Sequence, residues 1–121
     1  MMPSVPTQEE FNQASAKMAY RDRNWVEISA TARAKLADVF DLHEFAIFPN
    51  GCEFAAILFL RTDEDVKRAT ESGGETKARE VLLNVIRPFR QECAEIKILV
   101  ELDSHENVIA NYEGNYFNRL R

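Results

Sequence analysis

The stretch EFAIFPNGCEFAAILFLRT, Glu44 to Thr62, decides what kind of fold this chain can adopt. Two β-rich runs flank Asn50-Gly51, the dipeptide that most readily takes the two positive φ angles of a tight hairpin turn. With Asn50-Gly51 as the loop, Ile47 stands opposite Phe54 and Phe45 opposite Ala56, and all four share one face. Pro49 cannot donate to a ladder, so it belongs beside a turn or on an edge strand. From Phe54 to Leu60 both faces are apolar, which predicts a strand at the centre of the sheet or covered on both sides.

Upstream of the hairpin the apolar period is helical. Trp25, Ile28, Ala32, Leu36 and Val39–Phe40 predict a helix from about residue 25 to 40, with Asn24 as its N-cap. Before it, YRDRN ends a first helix from about residue 8 to 20. That helix opens on a Thr7–Glu10 capping box and carries Phe11, Ala14 and Met18 on one side. Residues 1–6, with Pro3 and Pro6, read as a frayed end.

Downstream, TDEDVKRATESGGE predicts a short exposed helical turn or a mobile loop. Thr62 caps it, acids fill its first turn, Lys67–Arg68 its last, and Gly73-Gly74 stops it. A long helix from about Glu75 to Ala94 follows, with Ala78, Val81–Leu82, Val85–Ile86, Phe89 and Cys93 as its apolar stripe. Pro88 lies inside that stretch and should kink it, because its ring presses on the carbonyl of Asn84. Arg79, Arg87 and Arg90 take the opposite side and read as a solvated face.

The closing segment begins with a half-buried strand: Ile96, Ile98, Val100 and Leu102 point one way, Lys97, Glu101 and Asp103 the other. Beyond Asp103 two readings compete. A capping box from Asp103 to Glu106 would start a helix ending at Gly114. Alternatively, Ser104 to Asn107 form a hairpin turn and Val108, Ala110 and Tyr112 return as a strand. The hairpin is preferred, because Asn107 tolerates positive φ and the alternation resumes at Val108. Tyr116, Phe117 and Leu120 are expected to fold back onto the sheet, or to form an aromatic contact patch.

The expected fold is therefore α+β and a single domain over residues 1–121. N-terminal helices precede an antiparallel sheet of two β-hairpins, with one long amphipathic helix packed on it. At 121 residues, 45% hydrophobic and 29% charged, the chain can bury a core without staples. Its longest apolar run, Phe54 to Leu60, is too short to span a bilayer, and MMPSVPTQEEF lacks the pattern of a secretion signal. Cys52 and Cys93 have no short-spacing partner and read as two reduced thiols in a cytoplasmic protein. The net charge of −5 argues against nucleic acid as a partner and suits a basic protein.

No catalytic constellation stands out. Asp103 and His105 offer two metal donors, and His43 or Glu44 could add a third only if the two hairpin ends meet in space. Cys52 could pair with His43, but no third group orients them. Gly73-Gly74 lacks phosphate-loop spacing, and Asp63, Glu64 and Asp65 form a solvated charge run. No catalytic, cofactor or metal site is expected.

The order of elements, closing on ILVELDSHENVIANYE, resembles the small immunity proteins of bacterial toxin and contact-dependent-inhibition systems, the YezG-like group among them. The likeness covers the C-terminal half of the chain. It implies a non-catalytic protein that binds one cognate toxin and blocks its active site or substrate surface. The acidic charge suits a basic, nuclease-type toxin, and the chain is expected to act as a monomer or weak homodimer, without membrane or nucleic acid. The residues expected to face the toxin are Asp41, Glu44, Asp63, Glu64, Asp65, Asp103 and Glu106, with Tyr112, Glu113 and Tyr116 as anchors. Two rivals are a self-associating structural or regulatory domain and a small metal-dependent hydrolase centred on Asp103, His105 and His43.

Overall fold

The computed structural model describes residues 24–120, so the helix expected over residues 8–20 lies outside the described part. The fold is α+β. Helix α1 (Trp25–Ala37) buries Ile28, Ala32 and Leu36, spaced by one turn each, as the apolar period requires. Asn24 occupies the N-cap position, yet its side chain does not close the cap. Instead the indole of Trp25 fastens the start of α1, donating to the carbonyl of Ile47 at 3.0 Å.

Strands β1 (Leu42–Asn50) and β2 (Glu53–Leu60) form the expected hairpin in a different register. Asn50 pairs with Glu53, Ile47 with Ala56 and Phe45 with Leu58, so the loop is Gly51-Cys52. Gly51 takes φ +65° while Cys52 does not need a positive φ, and glycine is the residue that enters this conformation without strain. A shift of two residues preserves every facing, so Phe45, Ile47, Phe54 and Ala56 still share the buried side.

Strand β3 (Lys97–Ser104) joins the other side of β2, which makes β2 central as its two-faced apolarity implied. The pairing is parallel, running from Glu53↔Lys97 to Leu60↔Ser104. The sheet is therefore one hairpin plus a parallel strand, reached through a helical crossover. That crossover is α2 (Asp63–Glu71) and α3 (Gly74–Ile86). Thr62 caps α2 as expected, its hydroxyl accepting from the Asp65 amide at 3.1 Å. Gly74 does not stop a helix but opens α3, fully covered; a Cβ there would stand 2.7 Å from the carbonyl oxygen of Ala69.

Pro88 ends the long helix rather than kinking it. The α-helix stops at Ile86 and a single 3-10 turn, Arg87–Phe89, carries the chain away. Proline lacks the donor that another turn needs. Arg90 leaves the solvated face assigned to it: it is buried, with its guanidinium 5.5 Å from the centre of the Phe54 ring and bonded to the Phe89 carbonyl. The released segment lets Cys93 reach Cys52, and the two form a disulfide with Cα atoms 5.8 Å apart. The reading of two reduced thiols is thereby overturned. Beside the bridge, the Lys97 amide donates to the Cys52 carbonyl at 3.0 Å and starts β3.

The preferred second hairpin is replaced by α4 (His105–Tyr112), and a short α5 (Tyr116–Leu120) follows. Val108 and Tyr112 are four apart, so they satisfy a helical period as well as an alternating one. Ser104 decides between them, its hydroxyl accepting from the Asn107 amide at 3.0 Å as the N-cap. One core fills the space between α1, α3 and the sheet face that carries Phe45, Ile47, Phe54, Ala56, Leu58 and Ile98.

Two outcomes test these assignments. The disulfide closes a loop of sequence separation 41. The chain-entropy relation gives about 4 kcal/mol for such a loop, so C52S/C93S should lower unfolding stability by about 2–4 kcal/mol in urea titration. Gly74→Ala should lower it by about 1–3 kcal/mol, because the methyl group meets backbone that cannot move aside.

Candidate functional site

Because β2 and β3 run parallel and end level at Leu60↔Ser104, the helices that follow them start side by side. Their caps interlock. The Glu106 carboxylate of α4 accepts from the Asp63 amide at 2.9 Å, and the Ser104 hydroxyl donates to the Asp63 carboxylate. The Glu106 amide donates to the Arg61 carbonyl at 3.3 Å. Each acidic residue sits on the first turn of a helix, where unpaired amides and the macrodipole favour negative charge. Ser104 is fully buried and used from both sides, which excludes it as a nucleophile open to a substrate.

The start of β1 reaches the same corner. The β1–β2 register slips between Leu42 and Glu44, a β-bulge at His43. The bulge sets the His43 ring against that of His105, with centroids 3.9 Å apart and planes tilted by 32°. His105 Nδ1 lies 2.6 Å from the Tyr116 hydroxyl of α5, and the Tyr116 ring stands edge-on to Phe59 at 4.8 Å. Burial raises the Tyr116 pKa, helped by the nearby Asp103 charge. The His43 imidazole is held below its ordinary range, first by partial burial, then by His105 and Arg61, with Asp41 opposing.

Arg119 clamps the end of α5. Its guanidinium bonds Asp103 at 2.5 Å and Glu101 at 2.6 Å, and lies 5.9 Å from the ring centres of both Phe59 and Tyr112. Burial depresses its pKa, but the bonds to the two carboxylates outweigh that and raise it. The terminal aromatics therefore fold back onto the sheet, and Tyr116 is an internal anchor before it is a contact for anything else.

The expected contact residues are thus brought together only in part. Asp41, Asp63, Glu64, Asp65 and Glu106 gather at the corner with His43 and His105. Asp103 faces inward and is occupied by Arg119 and Asn107. Glu44 sits on β1, paired with Arg33 of α1. Tyr112 and Glu113 lie at the far end of α4, where Glu113 takes φ 53° ahead of Gly114. Within the corner, Asp41 is bonded to Arg61 at 3.0 Å, both side chains more than half exposed. Asp65 pairs with Arg68, and that bond, with the Thr62 hydroxyl, lowers its pKa.

The meeting of His43 with His105 was the condition for a metal site. Among the described residues, however, no three His, Cys, Asp or Glu side chains converge as a metal-holding group. The two imidazoles are in direct ring contact, with their planes tilted by 32°. Sequence reasoning named both histidines without showing that they touch, because the slip in strand register at His43 is visible only once the strands are paired. An open groove of about 510 Å³ borders the corner, lined by Val39, Phe40, Leu60, Arg68, Ala69 and Lys77 among others.

No protein-family model matches this chain, and no curated protein or solved structure is significantly similar to it.

Ser104→Ala removes one helix cap and one bond to the neighbouring helix from a fully covered position. It should cost about 1–3 kcal/mol in chemical denaturation, more than a lone exposed cap.

Proposed function

We propose that this chain is a non-catalytic binding protein that neutralises a basic protein partner, and that the partner is a nuclease-type bacterial toxin to which it confers immunity. The observation that carries the reading is the charge of the corner where two helices start. Five carboxylates, of Asp41, Asp63, Glu64, Asp65 and Glu106, stand there against the cationic side chains of Arg61, Arg68 and Lys77. The excess is held on rigid elements by the interlocked caps. Exposed ion pairs such as Asp41–Arg61 contribute little, so a basic surface can displace Arg61 at small cost. An acidic patch of this kind steers a basic partner into encounter and suppresses wrong ones. Proteins that handle phosphate are basic for the complementary reason.

A cytoplasmic setting goes with this reading. The Cys52–Cys93 bridge pulls the other way, since disulfides persist in oxidising compartments. Thiol trapping in intact cells followed by mass measurement decides which holds. No helix among the described residues is long and apolar enough to cross a membrane.

A self-associating domain is the second reading. It draws on Leu99, which is 63% exposed on the outer strand β3. Light scattering at micromolar concentration separates the two, and a monomer counts against self-association.

The immunity reading is tested by mixing the protein with the toxin encoded beside it. A complex and relief of toxicity are expected, and the absence of both removes the reading. With such a partner, D41K/E64K should slow association about tenfold at low ionic strength, an effect that fades with added salt.

A further inference from the structure

We propose that the ring contact between His43 and His105 is an acid-sensitive latch that seats the C-terminal helix α5, and that uptake of a proton by His43 loosens that seat. The chain has two histidines, and both are in this contact. They come from separate elements, His43 from the bulge of β1 and His105 from the first turn of α4, and Tyr116 of α5 closes the cluster. The Tyr116 ring lies 10° from the plane of His105 and 23° from that of His43. One assembly of three rings thus joins the sheet edge, α4 and α5.

Contact between two neutral imidazoles is attractive. At a 3.9 Å centroid distance, a positive charge gained by His43 acts directly on the ring it rests against. The surrounding charges decide how strongly. From the lead-in to β1, Asp41 faces His43 and favours its cation, while Arg61, after β2, opposes it. Glu44, next along β1, is taken by Arg33 of α1. From α2 and α4, Asp63 and Glu106 are engaged in the interlocked caps. From β3, Asp103 faces Tyr116 but is bound by Arg119 of α5. Among the described residues, no carboxylate is bonded to either ring.

The sign follows from the depressed pKa of His43. A histidine held below its ordinary value of 6.5 binds its proton less readily folded than unfolded. Its contribution to stability is whole above that value and lost as pH falls toward the folded pKa. The loss is local, because α5 is short and contributes no buried residue of its own, while the main core lies on the opposite face of the sheet. When α5 lifts, Phe59 is bared: it is fully buried now, with Tyr116 edge-on to it and Arg119 above it. On the same face it is continuous with Ile57 and Ala55, and with Leu99 on β3. None of this depends on whether the acidic corner binds a partner.

Amide hydrogen exchange on the full chain tests the latch. The Asn118 and Arg119 amides donate to the side-chain and backbone oxygens of Asn115, the residue ahead of α5, and report the seating of that helix. After correction for intrinsic chemistry, their protection should fall about tenfold or more between about pH 7.5 and pH 5, while the amides of β2 keep theirs. His43→Phe keeps a ring against His105 but carries no proton; it should retain the protection and lose its dependence on pH. In the unaltered protein, proton NMR should show His43 titrating below the ordinary imidazole value of 6.5. Flat protection of α5 across the range, an unchanged dependence in the variant, or a His43 that titrates at or above the ordinary imidazole value would each overturn the proposal.

Discussion

The structure turns on the parallel, in-register pairing of β2 with β3. Because Leu60 and Ser104 end the two strands level, α2 and α4 must begin within hydrogen-bond reach of one another. Buried helix starts leave amides that need acceptors, and here each helix helps supply the other. Glu106 serves the first turn of α2, and Ser104 both caps α4 and binds Asp63. A shift of strand register by one residue would separate these groups and turn every β3 side chain to the wrong face. The corner is consequently rigid, acidic and assembled from residues more than 40 positions apart.

The opposite end of the sheet is secured differently. Pro88 ends α3, and the segment beyond it must return to start β3 beside the turn of the first hairpin. The Cys52–Cys93 bridge and the Lys97–Cys52 backbone bond hold this return, with Arg90 lying over Phe54 beneath them. The two outer strands each lend a carbonyl to a side chain: Ile47 to Trp25 and Ile98 to Arg79. Such contacts occupy groups that would otherwise invite another strand.

Among the described residues, the second sheet face is covered at Phe59 by the C-terminal helix, while Leu99 on β3 stays exposed. Tyr116 and Arg119 rest on Phe59, and a set of polar contacts holds them there in place of a packed apolar layer. Polar seats of this kind respond to pH and ionic strength in a way the main core does not. The fold thus joins an insensitive core on one face to a sensitive clasp on the other.

Much of the architecture is legible in the residues themselves. The period of Ile28, Ala32 and Leu36 specifies α1, the two-faced apolarity of Phe54 to Leu60 makes β2 central, and Thr62 caps α2, because each depends on neighbours close along the chain. The site is less legible. Val108, Ala110 and Tyr112 fit strand and helix alike, and only the cap at Ser104, held from across the fold by Asp63, selects the helix. The parallel direction of β3, the joining of Cys52 to Cys93, the burial of Arg90 and the meeting of His43 with His105 all arise from contacts between distant segments. Sequence by itself determined α1, the first hairpin, the central place of β2 and the cap of α2, since local periodicity and turn chemistry are short-range. Only the tertiary structure decided which ends meet, because that depends on how strands pair and chain segments cross, and no local pattern encodes it.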